Sequence, residues 1–239
     1  MMERSLNERK LDFDENYKRV LDQIEQAALR SGRRPQDVTL LAATKTVPVE
    51  LINYGISRGL AQIGENRVQE LLDKYDALDR EHCQVQFIGQ LQTNKVKYLT
   101  GRVSCIQSLD SVKLAREISR QGEKAGAVME VLVEVNIGRE ENKGGVDPDQ
   151  LYEFIDEIRR MPGLAVRGLM AIPPICSSKA EAKRYFSRMA QYYVDIKGKS
   201  MDNVSMECLS MGMSSDFPEA VECGANLVRV GSSLFGPRA

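Results

Sequence analysis

Lys45 stands at the end of an apolar run, residues 39–44, in the stretch LLAATKTVPVE. That run reads as a strand buried on both faces, so the ammonium at its end must reach water, find a partner or lose its proton. A lysine amine attacks an aldehyde only when neutral, and aliphatic walls disfavour the charged form. The plainer readings are a lysine that snorkels from the strand end, or one that pairs with a carboxylate such as Glu65. Near the C-terminus, CLSMGMSSDFPEA and LVRVGSSLFG place glycine and serine directly after apolar segments, at residues 210–215 and 229–233. Backbone N–H groups freed by glycine, together with serine hydroxyls, can cradle phosphate oxygens, although two ordinary turns would look the same. Arg229 sits within its apolar run, where a guanidinium either pairs with a carboxylate inside the fold or faces an acceptor on a ligand.

Other reactive side chains are sparse. The only histidine, His82, lies in the polar segment DREHCQ and reads as a solvated loop residue. The five cysteines are scattered, odd in number and without a Cys-x-x-Cys pair, which argues against a disulfide framework or a zinc knuckle and for reduced thiols. No metal site and no catalytic residue is assigned. A net charge of −1 on 239 residues excludes a broad nucleic-acid footprint or a basic membrane patch. The N-terminus lacks the apolar core of a signal peptide, and no stretch approaches the roughly 18 apolar residues of a membrane span. The expectation is a soluble cytoplasmic protein.

The elements that must position these residues alternate regularly. Residues 14–32 carry Tyr17, Val20, Leu21, Ile24 and Ala28 at helical spacing and stand ahead of everything else, in the manner of a lid or plug. Strand-like runs at 39–44, 61–63, 85–88, 103–106, 128–135 and 165–169 are each followed by a helical pattern, at 48–58, 67–78, 94–99, 111–125, 151–160 and 179–197. Runs at 205–209 and 227–230 bring the strands to eight, and Asp147-Pro148 supplies a cap and a proline ahead of the 151–160 helix. Eight such units in one chain without a linker predict a single α/β domain over residues 1–239, a (β/α)8 TIM barrel with an extra N-terminal helix. A doubly wound open sheet is the alternative.

In a barrel, chemistry gathers at the carboxyl ends of the strands, and phosphate is frequently held after strands 7 and 8. Lys45, Asn66, Gln90, Gln107, Asn136, residues 210–215 and residues 229–233 all fall at such ends. A Schiff-base lysine facing a phosphate cradle across one barrel mouth is what pyridoxal 5′-phosphate requires. A class I aldolase-like barrel would share both features.

On KTVP, GENRVQE, FIGQLQTNK, VNIGREENKGG, RGLMAIPP, LSMGMSSDFPEAV and VRVGSSLFG, the chain resembles the pyridoxal phosphate homeostasis protein family, the YggS/PROSC type, along nearly its full length. The resemblance implies an isolated alanine-racemase-type barrel tied to vitamin B6 balance, with no expected turnover. By motif position, Lys45 would hold pyridoxal phosphate as a Schiff base. Ser214, Gly231 and Ser232 would receive its phosphate, Arg229 would face the pyridine nitrogen, and Asn66 and Met211 would line the site. A cation opposite that nitrogen disfavours a charged ring, making it a poorer electron sink.

Many members carry His before FIG where this chain has Gln86, so a proton-transfer role given to that histidine does not apply here. Lys143 matches a family lysine that could accept the cofactor transiently; the plainer reading is a surface loop cation. The expected partners are the small-molecule cofactor and pyridoxal-dependent apo-enzymes as its recipients, with no nucleic acid and no membrane, and the expected assembly is a monomer. The alternative is a pyridoxal-dependent amino-acid racemase or lyase. Racemases of the related type draw a second proton donor from a further β-domain and a partner subunit, and with SLFGPRA following the last strand no such domain is expected.

Overall fold

β1, Thr39–Ala43, shows why its sequence is apolar throughout: Leu40 and Ala42 pack outward into the main core, while Leu41 and Ala43 pack inward with Ile88, Leu227 and Cys208. Parallel strands covered on both sides take this composition. The computed structural model describes residues 5–236. Ahead of β1 comes α1, Leu6–Arg30. The chain continues through α2 (Val49–Ser57), β2 (Gln62–Glu65), α3 (Val68–Tyr75), β3 (Gln84–Phe87), a 3-10 segment (Thr93–Tyr98), β4 (Cys105–Leu109) and α4 (Val112–Ala125). It ends with β5 (Met129–Glu134), α5 (Leu151–Ile158), β6 (Leu164–Met170), α6 (Lys179–Lys197), β7 (Val204–Ser210), α7 (Phe217–Glu222), β8 (Leu227–Val230) and α8 (Ser232–Phe235).

The strands run in sequence order and close on themselves, with β1 parallel to β8 and Leu41 opposite Arg229. Closure settles the choice between barrel and open sheet in favour of the barrel. Caps fix the helix starts: Ser111 accepts from Leu114 N–H, Ser178 from Glu181 N–H, and Asp147 from Asp149 N–H just before α5. Gly168 is required where β6 meets β7, because a Cβ there would lie 1.8 Å from the carbonyl oxygen of Cys208.

Three elements differ from the sequence expectation. α1 begins eight residues before residue 14, at a capping box in which Ser5 accepts from Glu8 N–H and Glu8 accepts from Ser5 N–H. It is neither lid nor plug. Asn16 donates to Leu234 O at one end, Arg33 just past the helix donates to Val221 O and Ala225 O at the other, and the helix packs on α7, α8 and α2. α1 thus completes the outer helical ring where α8 is only one turn long. β4 begins two residues later than expected, since residues 100–104 turn through Gly101 at φ 74°. The third crossover is a 3-10 segment in place of an α-helix. All five cysteines are free, and no helix among the described residues is long and apolar enough to cross a membrane. The first four residues and the last three of SLFGPRA lie outside the described part.

Candidate functional site

The register between β1 and β8 decides what can meet at the barrel mouth. Ala42 pairs with Val230, and a Cβ on Gly231 would lie 3.2 Å from Ala43 O, so the turn after β8 sits against the end of β1. Lys45 is two residues past Ala43, half-buried, at the alternation position of the inward-facing Leu41 and Ala43. Directly after it Thr46 takes φ 63°, which is uncommon for a β-branched residue.

The turns after β7 and β8 are tied through one side chain. Ser214 Oγ accepts from Gly231 N–H at 3.2 Å and from Ser233 N–H at 3.3 Å, and Ser233 Oγ donates to Ser214 O at 3.3 Å. Ser232 is exposed beside them. Gly212, at φ 88°, makes the turn possible, since a Cβ there would lie 2.6 Å from Ala220 Cβ. Asp216 ends the loop by accepting from Met213 N–H at 2.7 Å, and α7 begins at Phe217-Pro218. Two backbone N–H groups converging on one oxygen form an arrangement that receives an anion, and here that oxygen is the Ser214 hydroxyl, which a bound anion would displace.

Arg229 is 4% exposed. Its Nη1 donates to Ser210 Oγ at 2.6 Å and its Nη2 to Ala171 O at 3.0 Å, and among the described residues it makes no ion pair within 4.0 Å. Burial pushes its pKa down to about 10 against the opposing pull of Glu134, so it is a cation at neutral pH. Glu134, at the inward end of β5, is pushed up to about 7 by burial and by Asp110, with Arg229 opposing. Ser210, read from the sequence only as the start of the Gly/Ser-rich stretch 210–215, ends β7 and turns into the barrel. There its hydroxyl donates to Gln107 Oε1 at 2.6 Å, Gln107 Nε2 donates to Gln86 Oε1 at 2.6 Å, and Gln86 Nε2 donates to Gln62 Oε1 at 3.0 Å. Every donor in this chain points away from Arg229, so each acceptor dipole faces the cation. The chain surfaces at the opposite end of the barrel, in a cavity of about 200 Å³ lined by Gln62, Gln86, Cys105, Arg167, Glu207 and Asn226.

Of the expected site residues, Lys45, Ser214, Arg229, Gly231 and Ser232 share the β1–β8 sector of the mouth. Asn66 follows β2 next door, and its Oδ1 is buried with no hydrogen-bond partner among the described residues. Met211 is fully buried in the main core, on the opposite alternation to Ser210. Glu65 is buried and paired with Lys74 at 3.0 Å. His82 is exposed beside Asp79, and Lys143 pairs with Glu140 at 2.5 Å in a half-exposed loop. The inward carboxyl of Glu134 escaped the sequence reading, where residues 128–135 appear only as an apolar run; glutamate ending such a run was the available signal.

A family model described as alanine racemase, N-terminal domain, matches residues 20–239. The chain is 46% identical over 224 residues to the pyridoxal phosphate homeostasis protein of Aquifex aeolicus, covering 94% of this chain and 97% of that one. Among solved structures it is similar to a protein of unknown function from Bifidobacterium adolescentis, with a TM-score of 0.93, 34% identity and 98% of each chain covered. It is also similar to PipY of Synechococcus elongatus PCC7942 with PLP bound, with a TM-score of 0.78 and 31% identity over 91% of this chain and 100% of that one.

Proposed function

We propose, from the premise that the chain belongs to the pyridoxal phosphate homeostasis protein family, that it binds pyridoxal 5′-phosphate at the β1–β8 sector of the barrel mouth. The observation that carries this reading is the packing of Gly231 against Ala43, which puts the Ser214–Gly231 turn beside the end of β1, two residues before Lys45. When bound, the cofactor supplies an aldehyde with which a neutral amine condenses, releasing water, and a phosphate dianion. Lys45 would take the aldehyde. Ser214, Gly231 and Ser232 would take the phosphate with backbone N–H groups and hydroxyls. Arg229, held by Ser210 and Ala171, would present a cation to the pyridine nitrogen and keep it unprotonated. Asn66 would line the site, and its orphaned Oδ1 fits a ligand that brings a donor; the Met211 side chain, expected there too, packs in the core between sheet and helices and does not face the site.

The protein's work in this reading is to hold and release the cofactor as one unit spanning residues 1–239, a cytoplasmic monomer that supplies pyridoxal-dependent apo-enzymes and limits the free aldehyde. One feature favours a second reading as racemase or lyase: Glu134 sits at the inward end of β5 near Arg229, and burial pushes its carboxyl up to about 7, a value suited to moving protons. Loaded protein incubated with the common amino acids in deuterium oxide separates the two. A carrier leaves the α-hydrogens in place, whereas exchange that is lost in Glu134→Gln would establish turnover.

A further inference from the structure

Both residues flanking Lys45 are held from behind by one charge cluster built on the buried carboxylate of Glu65. Before it, the Thr44 hydroxyl donates to Glu65 Oε1 at 2.6 Å, and Thr44 O accepts from Lys74 Nζ at 2.9 Å. After it, Thr46 N–H donates to Glu70 Oε1. Lys74 Nζ also donates to Glu65 Oε1 at 3.0 Å and to Glu70 Oε1 at 2.7 Å, so its three protons are all engaged. Glu65 is fully buried on the same alternation as the outward-packed Ile63, and Lys74 and Glu70 come from α3. The cluster therefore lies between sheet and helix, on the far side of β1 from the barrel interior. A left-handed β-branched residue persists only where its surroundings hold it, and the bond from Thr46 N–H to Glu70 lies at that residue.

We propose that Lys74, Glu70 and Glu65 are positioning residues for Lys45, clamping the backbone on both sides so that its amine meets the cofactor aldehyde with the Thr46 turn already formed. The proposal rests on the cofactor reading above, with Lys45 as the acceptor. The cluster touches neither the Ser214–Gly231 turn nor Arg229, so it governs capture of the aldehyde and leaves phosphate binding alone.

The test compares the rate at which pyridoxal phosphate is captured, read by visible absorbance, with the affinity for pyridoxine 5′-phosphate, which has the phosphate and ring but no aldehyde. In Lys74→Met and Glu70→Ala, capture is expected to slow by about tenfold or more, while pyridoxine phosphate affinity stays within about twofold of the parent. Glu70→Gln, which keeps an acceptor for Thr46 N–H, is expected to recover most of the rate. Thr46→Gly added to Glu70→Ala is expected to restore it too, because glycine takes this φ unaided. Unchanged capture in Glu70→Ala, or parallel loss of capture and analogue affinity, would overturn the proposal; Glu70→Ala carries the test should Lys74→Met fail to fold. A parent protein that captures no pyridoxal phosphate at Lys45 would instead overturn the cofactor reading.

Discussion

Ser210→Ala tests whether the chain of side chains through the barrel holds Arg229. Ser210 is fully buried, and its hydroxyl joins two partners sealed from water: it accepts from Arg229 Nη1 at 2.6 Å and donates to Gln107 Oε1 at 2.6 Å. Alanine removes one oxygen and leaves both partners unmatched. A buried hydrogen bond to a charged group is worth about 1.5–3 kcal/mol and a neutral one about 0.5–1.5 kcal/mol, so the expected loss is about 3 kcal/mol. In a chain of this size that corresponds to a midpoint lower by about 6–12 °C. Urea unfolding should show the lower midpoint with an unchanged slope, because little surface exposure is altered. Gln107→Leu in the Ser210→Ala background should cost at least about 1 kcal/mol less than in the parent, the amide oxygen having already lost its donor. A loss below about 0.5 kcal/mol, the scale of a surface substitution, together with simple additivity would refute the coupling.

Two further expectations concern the mouth. Glu134 keeps in the folded state a proton that the unfolded chain releases near its ordinary 4.5, since its folded value is about 7. Its contribution to stability is therefore full at low pH, declines as pH rises between those values and is level above. Glu134→Gln should gain about 1–3 kcal/mol over the parent above about pH 7.5 and little below about pH 4.5, and a gain independent of pH in urea titrations would contradict the assignment. At Gly89 an added Cβ would lie 2.0 Å from the carbonyl oxygen of Asn66, so Gly89→Ala should destabilise by about 3 kcal/mol or more, and a near-neutral effect on thermal unfolding would show that the Asn66 turn gives way easily.

How much of this was legible in the sequence depends on how local the cause was. β8 and α6 have the expected bounds because an apolar run and a serine cap are signals contained in neighbouring residues. β4 was displaced because the turn through Gly101 lengthens the connection, which apolar composition alone does not register. The start of α1 was written in the SLNE capping box; its place in the helical ring was not, since it follows from the shortness of α8 at the other end of the chain. The polar chain was invisible for a different reason. A glutamine in a strand reads equally as a solvent-facing residue, and only closure of the barrel brings Gln62, Gln86 and Gln107 into one line. Glu70 and Lys74 look like an ordinary i,i+4 surface pair until β1 and β2 place Thr44 and Glu65 beneath them. The site residues themselves came from motif resemblance; spacing alone left snorkelling, ordinary turns and an aldolase-like barrel open.

The central claim is most directly tested by loading the protein with pyridoxal 5′-phosphate, reducing with borohydride and mapping the modified peptide by mass spectrometry. Expected is a pyridoxyl group on Lys45, lost in a Lys45→Ala variant that still unfolds cooperatively. A pyridoxyl group found instead on Lys143 or on another lysine, with Lys45 unmodified, would contradict it.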